Sequence, residues 1–185
     1  MQLRKKDIPN YLTYFRIAII PALIVIFMLT DYLGNWGYYI SAFLFAIAGV
    51  TDWLDGYVAR IWQAQSNIGR FLDPIADKLL VATALLLMVS VKRADLLPSI
   101  AIVCREILVS GLREYLAELR ISVPVSKLAK FKTAAQMAAI FFLLLSPDTG
   151  DWIYVFGRLL LWTSAILTLV TGYAYLKTGM KHMTE

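Results

Sequence analysis

The sequence predicts an all-α integral membrane protein, with six transmembrane helices and a short amphipathic segment ahead of them. Three observations carry that expectation. Hydrophobic residues make up 59% of the 185-residue chain and charged residues only 17%, a balance beyond that of water-soluble domains. The apolar residues fall in long runs instead of the short alternating segments of a soluble core. Runs of about 17 to 25 apolar residues are what a helix needs to cross a bilayer, where backbone polar groups have to be satisfied within their own segment.

In chain order, residues 2–10 (QLRKKDIPN) are basic and are expected to lie along the membrane surface. A first apolar run follows at about 11–30. Basic and then apolar, it has the look of a secretory signal, but it is too long and lacks a small-x-small cleavage site, so a retained helix is expected. Further runs lie at about 37–58, 75–91, 95–116, 128–146 and 152–176, joined by short polar connections. Pro21 and Pro98 fall inside or at the start of runs, which membrane helices tolerate. Trp36, Tyr38, Tyr39, Trp152 and Tyr154 fall at helix ends, as an interfacial belt requires. No repeat, low-complexity stretch or linker divides the chain, so residues 1–185 read as one domain.

A formal charge of +5 would suggest nucleic acid in a soluble protein. Here its distribution speaks for topology and anionic headgroups, and no nucleic-acid partner is expected. With the amino terminus inside, Arg4, Lys5, Lys6, Arg60, Arg70, Arg120, Lys127, Lys130, Lys132, Lys177 and Lys181 fall on cytoplasmic segments. The outer loops keep only Lys92 and Arg93, with Arg158 a turn inside the last helix. The expected location is the inner (cytoplasmic) membrane, multi-pass, with both termini and the 60–72 and 117–130 loops in the cytoplasm. The lone Cys104 excludes a disulfide framework or a multi-cysteine zinc site and reads as inert packing. His182, in the polar tail, is not expected to be catalytic.

The most informative stretch joins the second and third runs: Asp52-Trp-Leu-Asp55-Gly56-Tyr-Val-Ala59-Arg60, eight residues, then Gly69-Arg-Phe-Leu-Asp73-Pro-Ile-Ala-Asp77. Asp52 and Asp55 are three apart and Asp73 and Asp77 four apart, so each pair occupies one face of its helix. A turn over the intervening residues makes the two helices antiparallel neighbours with their carboxylates facing. The third helix is expected to start near Asp73, with Pro74 in its first turn. Four carboxylates at a membrane boundary repel one another, and each costs roughly 2.5 kcal/mol or more deep in a transmembrane helix. Divalent cations held by oxygen offset that, Mg²⁺ or Mn²⁺ in preference to zinc. Two such ions about 4 Å apart would clamp a diphosphate and stabilise its leaving oxygen. Gly56, one turn after Asp52, and Ala59, one turn after Asp55, leave a bare strip for a nucleotide or a neighbouring backbone. The competing structural reading ties the aspartates to Arg60, Arg70 and Lys78 in salt bridges.

The pattern D-x2-D-G-x2-A-R-x8-G-x3-D-x3-D is met without a mismatch and resembles the signature of the CDP-alcohol phosphotransferases. That resemblance implies the six-helix membrane fold of the family, homodimeric as a rule, with a polar cavity facing the cytoplasm. It implies that Asp52, Asp55 and Asp73 hold two metal ions, with Asp77 beside them as general base. It also implies that Asp52, Gly56, Ala59 and Arg60 lie against the CDP moiety, with Gly69 keeping the helix junction beside it close. Three further segments, IPNYLTYFRI (8–17), CREILVSGLRE (104–114) and KLAKFKTAAQM (127–137), resemble the branch of the family that joins CDP-diacylglycerol to glycerol 3-phosphate.

The cations point the same way. Arg105 lies well inside the fourth run, where an unpaired guanidinium is costly, and Arg113 follows about 2.2 turns later on roughly the same face. Lys130 begins the fifth helix from the same side. Cations converging from two helices make a dianion site, and arginine forks fit phosphate oxygens, so the expected acceptor is a phosphorylated alcohol. The alternative pairs Arg105 with Glu106 or Glu114 as helix ties and leaves Lys130 snorkelling at the interface. Lys132 and Arg120 read as interface anchors, while Asn10, Thr13 and Arg16 either reach the nucleotide or only fix the first helix.

The expected reaction is one in-line displacement. Asp77 takes the proton of the glycerol 3-phosphate hydroxyl, whose oxygen attacks the β-phosphorus of CDP-diacylglycerol and expels CMP. No serine, cysteine or histidine is placed as a nucleophile. The rival readings are inositol phosphate or serine as acceptor, a membrane cation transporter, and a non-catalytic assembly protein. A transporter would move metal without releasing CMP.

Overall fold

The computed structural model describes residues 8–62, 67–119, 121, 127–148 and 150–183; among these, the side chains of 8–11, 53, 55–62, 67, 68, 70, 127, 178 and 181–183 lie outside the description. The chain forms α1 (Ile8–Met28), α2 (Thr30–Leu33), α3 (Asn35–Trp62), α4 (Asn67–Ser90), α5 (Leu96–Glu118), α6 (Lys127–Leu145) and α7 (Trp152–Met183). No strand occurs among the described residues, so the fold is all-α, as expected.

Each apolar run has its helix, and the differences lie at the ends. α1 starts at Ile8, within the segment expected to lie on the surface; residues 1–7 of that segment fall outside the described ones. Short α2 is ended by Gly34, whose φ of +57° is left-handed geometry that a side chain would strain. α3 and α4 both extend into the expected turn, so α4 begins well before Asp73 and Pro74 stands inside the helix, not in its first turn. The bias that proline puts on the residue before it is overridden here, at the loss of one backbone hydrogen bond. α7 continues past the expected end near 176 to Met183.

α6 and α7 make the most extensive contact, α5 packs on α7 and α3 on α6. α1 packs broadly on both α3 and α4, which touch each other little. The two aspartate-bearing helices are therefore joined largely through α1 rather than by the direct pairing expected of neighbours. The core draws on α1 and α3 to α7, with Leu23, Phe45, Leu85, Ile102, Ile140 and Leu161 fully buried. Outside, Phe43, Leu86, Ile107, Leu159, Ile166 and Tyr173 are each at least 60% exposed, a surface suited to lipid and not to water.

Two stretches, Leu128–Leu145 and Trp152–Lys177, are long and apolar enough to cross a membrane, with mean hydropathies of 1.5 and 1.8, and α1 holds a shorter one, Leu12–Met28. By that measure the described residues give two clear spans instead of six. In two of the remaining helices charges interrupt the run: α4 carries Asp73, Asp77 and Lys78, and α5 carries Arg105, Glu106, Arg113 and Glu114.

At the opposite end of the helices, the connection between α4 and α5 is fastened by buried Arg93. Its guanidinium donates to the Pro147 carbonyl at 2.6 Å and lies 4.5 Å from the ring of Tyr38 and 5.8 Å from that of Tyr154. Two residues on, Asp95 accepts from Arg158 at 2.7 and 2.9 Å and from Trp162 at 2.7 Å. Tyr38 and Tyr154 thus cover a cation, whereas Trp36 and Trp152 stand exposed as a belt requires. Cys104 is exposed on α5 and not packed in the core.

Candidate active site

A cavity of about 990 Å³ opens among α3 to α7 where α3 ends and α4 begins. Its polar wall holds Asp52, Asp77, Lys78, Arg105, Glu106, Arg113, Lys130 and Lys132. Its apolar flank is built by Phe45, Gly49 and Val50 of α3 facing Met137, Phe141 and Phe142 of α6.

The acidic side is organised by α1. Thr13 and Arg16, three residues apart, share a face of that helix. Arg16 is wholly buried and pairs with Asp52 at 2.8 Å, while the Asp52 carboxylate stays 44% exposed toward the cavity. Thr13 donates to Asp73. A buried guanidinium is stable only when paired, and this one is held where it offsets part of the repulsion among the aspartates. Asp52 lies within electrostatic reach of both Asp73 and Asp77. Lys78, beside Asp77 on the cavity wall, donates to Ser110 on α5.

Asp55, Gly56, Ala59 and Arg60 occupy the last turns of α3, but their side chains lie outside the described residues, as does that of Arg70. Gly69 lies buried early in α4. Among the described residues no three ligating groups stand close enough together to hold an ion as they are. The donors that do gather there are carboxylate and hydroxyl oxygens, the set that a hard divalent cation takes and zinc does not favour.

On the basic side, the eight-residue spacing puts Arg105 and Arg113 on one face: both guanidiniums lie over Tyr175 of α7, at 5.9 and 6.0 Å from the ring centroid. Arg105 donates to Glu106 at 3.2 Å and to Thr171 at 3.2 Å. The expected alternative partner, Glu114, receives Ser110 instead. Lys130 lines the cavity and is exposed.

Lys132, expected to be an interface anchor, is turned inward, 3% exposed, and pairs with Glu106. Glu106 as a cavity residue, Lys132, Thr171 and Tyr175 are the participants that the sequence reading missed. For Glu106 a signal existed, since an acid inside an apolar run raises the same question as Arg105. Thr171 and Tyr175 carry no charge and give no such signal.

A family model described as CDP-alcohol phosphatidyltransferase matches residues 6–170, most of the chain. The chain belongs to the CDP-alcohol phosphatidyltransferase family. Curated relatives of this phosphatidyltransferase extend over nearly the whole length. One from Rickettsia felis (strain ATCC VR-1525 / URRWXCal2) is 42% identical over 179 residues, covering 96% of this chain and 97% of its own. One from Rickettsia typhi (strain ATCC VR-144 / Wilmington) is 44% identical over 174 residues, covering 93% and 96%. One from Salmonella choleraesuis (strain SC-B67) is 43% identical over 177 residues, covering 94% of each. All three bear the name CDP-diacylglycerol--glycerol-3-phosphate 3-phosphatidyltransferase. This member of the phosphatidyltransferase family is a transferase of phospholipid synthesis, and its outward apolar surface is that of a membrane protein.

Proposed function

We propose that this protein transfers the phosphatidyl group of CDP-diacylglycerol to glycerol 3-phosphate, giving phosphatidylglycerophosphate and CMP. The observation that carries this reading is a single cavity with carboxylates on one wall and paired cations on the other, in a chain alike over nearly its full length to relatives of that name.

Asp52, Asp55, Asp73 and Asp77 would hold two divalent ions, Mg²⁺ or Mn²⁺, whose chemistry when bound is to neutralise the diphosphate and the departing CMP oxygen. Asp52, Gly56, Ala59, Arg60 and Gly69 form the CDP-binding side. Asp77 accepts the proton of the attacking hydroxyl. Arg105, Arg113 and Lys130 receive the acceptor's phosphate, which favours a phosphorylated alcohol over serine. The apolar flank between α3 and α6 suits acyl chains that remain in the bilayer. Residues 1–185 act as one catalytic unit whose six long helices cross the inner membrane, with the cavity toward the cytoplasm and a second copy as its dimer partner.

The test is to incubate the purified protein with CDP-diacylglycerol, Mg²⁺ and a panel of glycerol 3-phosphate, inositol phosphate and serine, measuring CMP and identifying the lipid product. Glycerol 3-phosphate is expected to be used; a product from inositol phosphate instead would reassign the acceptor. EDTA is expected to stop CMP release and added Mg²⁺ or Mn²⁺ to restore it. In the Asp77→Asn variant, CMP release is expected to fall by about 10² to 10⁴, the range of general-base catalysis, with metal-dependent CDP-lipid binding partly retained. Full activity in that variant refutes the base assignment. Proteoliposomes are expected to pass no metal, against the transporter reading.

A further inference from the structure

We propose that Glu106 is a positioning residue for the acceptor: it fixes Lys132 and Arg105 in the places from which they face the incoming phosphate, and does not itself touch substrate. The inference rests on the acceptor assignment above.

An acid in a membrane helix is costly unless its charge is matched. Glu106 is matched twice at one atom, for its Oε1 accepts from Arg105 Nη1 at 3.2 Å and also from Lys132 Nζ. Lys132 comes from α6 and Arg105 from α5, so one carboxylate oxygen ties two helices at the basic end of the cavity. The tie is shielded from water, with the Lys132 side chain 4% and that of Glu106 21% exposed.

α7 completes it. Thr171 accepts from Arg105 Nη2 at 3.2 Å, and Gly172 leaves the space that the arginine stem fills; a Cβ there would come within 2.9 Å of Arg105 Cγ. The cations are therefore set in place before any substrate arrives, which is how a site avoids reorganisation when charge binds.

A lysine ammonium sits on a flexible four-carbon stem. Released from Glu106, Lys132 would no longer be held at the basic end of the cavity. Loss of Glu106 thus harms acceptor binding, while the CDP side is left alone.

Simple charge balance makes the opposite forecast. Removing a negative charge beside a bound dianion strengthens its attraction to the remaining cations. The sign of the effect therefore separates a positioning role from a mere counter-charge.

The experiment measures kcat and both KM values for the wild type and for Glu106→Gln, Glu106→Asp and Gly172→Ala. Positioning predicts that the glycerol 3-phosphate KM rises about tenfold in each, the scale of one charge-assisted hydrogen bond, while the CDP-diacylglycerol KM stays within about twofold. Glu106→Asp is informative because it keeps the charge and withdraws only its point of contact. An acceptor KM that is unchanged or lower in Glu106→Gln, or unchanged in Glu106→Asp, overturns the positioning role. So does a parallel rise in both KM values. Should Glu106→Gln fail to fold, Glu106→Asp and Gly172→Ala decide by the same criteria. A wild type that releases no CMP with glycerol 3-phosphate overturns the proposed function and this inference with it, whereas normal wild-type turnover with an unmoved acceptor KM overturns this inference alone.

Discussion

Arg16 illustrates how a single side chain can hold a cluster of like charges together. It is wholly buried, and its partner Asp52 is nearly half exposed, so the two ends of the pair respond differently to removal. Asp52→Asn removes the negative charge that faces this buried guanidinium at 2.8 Å and is expected to cost about 2 kcal/mol of stability, below the range for pairs buried at both ends. Asp77→Asn removes one member of a repelling set and is expected to leave stability nearly unchanged while activity is lost. Thermal unfolding in detergent distinguishes them; equal losses in the two variants would refute the asymmetry. At this scale the sequence was informative where spacing alone fixes a face, as with Arg105 and Arg113, which both lie over Tyr175. It was uninformative about partners: nothing in the order of residues says that Arg16 meets Asp52 or that Thr13 meets Asp73. Lys132 was misjudged because it lies two residues after Lys130, about 200° around a helix, and a cavity that wraps the start of α6 admits both.

Among the elements, α7 contributes more to the site than its composition suggests. It supplies Thr171 and Tyr175 to the basic wall, and it can do so because it lies close to α5 and α6. At Gly157 a Cβ would meet the Leu143 backbone nitrogen at 3.0 Å and Phe142 Cβ at 3.1 Å. Gly157→Ala is therefore expected to push α6 and α7 apart and to cost about 1 to 3 kcal/mol, the usual penalty of overpacking, read as a lower melting temperature. A melting temperature at or above that of the wild type would mean that the crossing relaxes without strain. Helix existence was readable from the apolar runs, because that signal is long and redundant. Helix ends were not: Pro74 argues locally for a boundary that the surrounding helices override, and the contact of α1 with both α3 and α4 depends on tertiary packing that periodicity does not encode.

For the molecule as a whole, the charge asymmetry along the chain predicts an orientation in the bilayer, and that orientation can be measured. With the native thiol removed by Cys104→Ser, Lys92→Cys is expected to react with a membrane-impermeant thiol reagent in intact cells, and Lys177→Cys only after permeabilisation. The reverse pattern would invert the proposed topology. A helix for each apolar run was legible, yet among the described residues only two stretches are long and apolar enough to pass as spans by composition, in part because charges interrupt the runs of α4 and α5. At the end of the helices away from the cavity, Arg93 is clamped by a carbonyl and two rings, and a buried apolar cluster that includes Ile102, Leu143 and Leu161 packs among the helices. Packed apolar side chains carry no current, so a bundle built around them can house ionised groups without shorting the membrane that holds it.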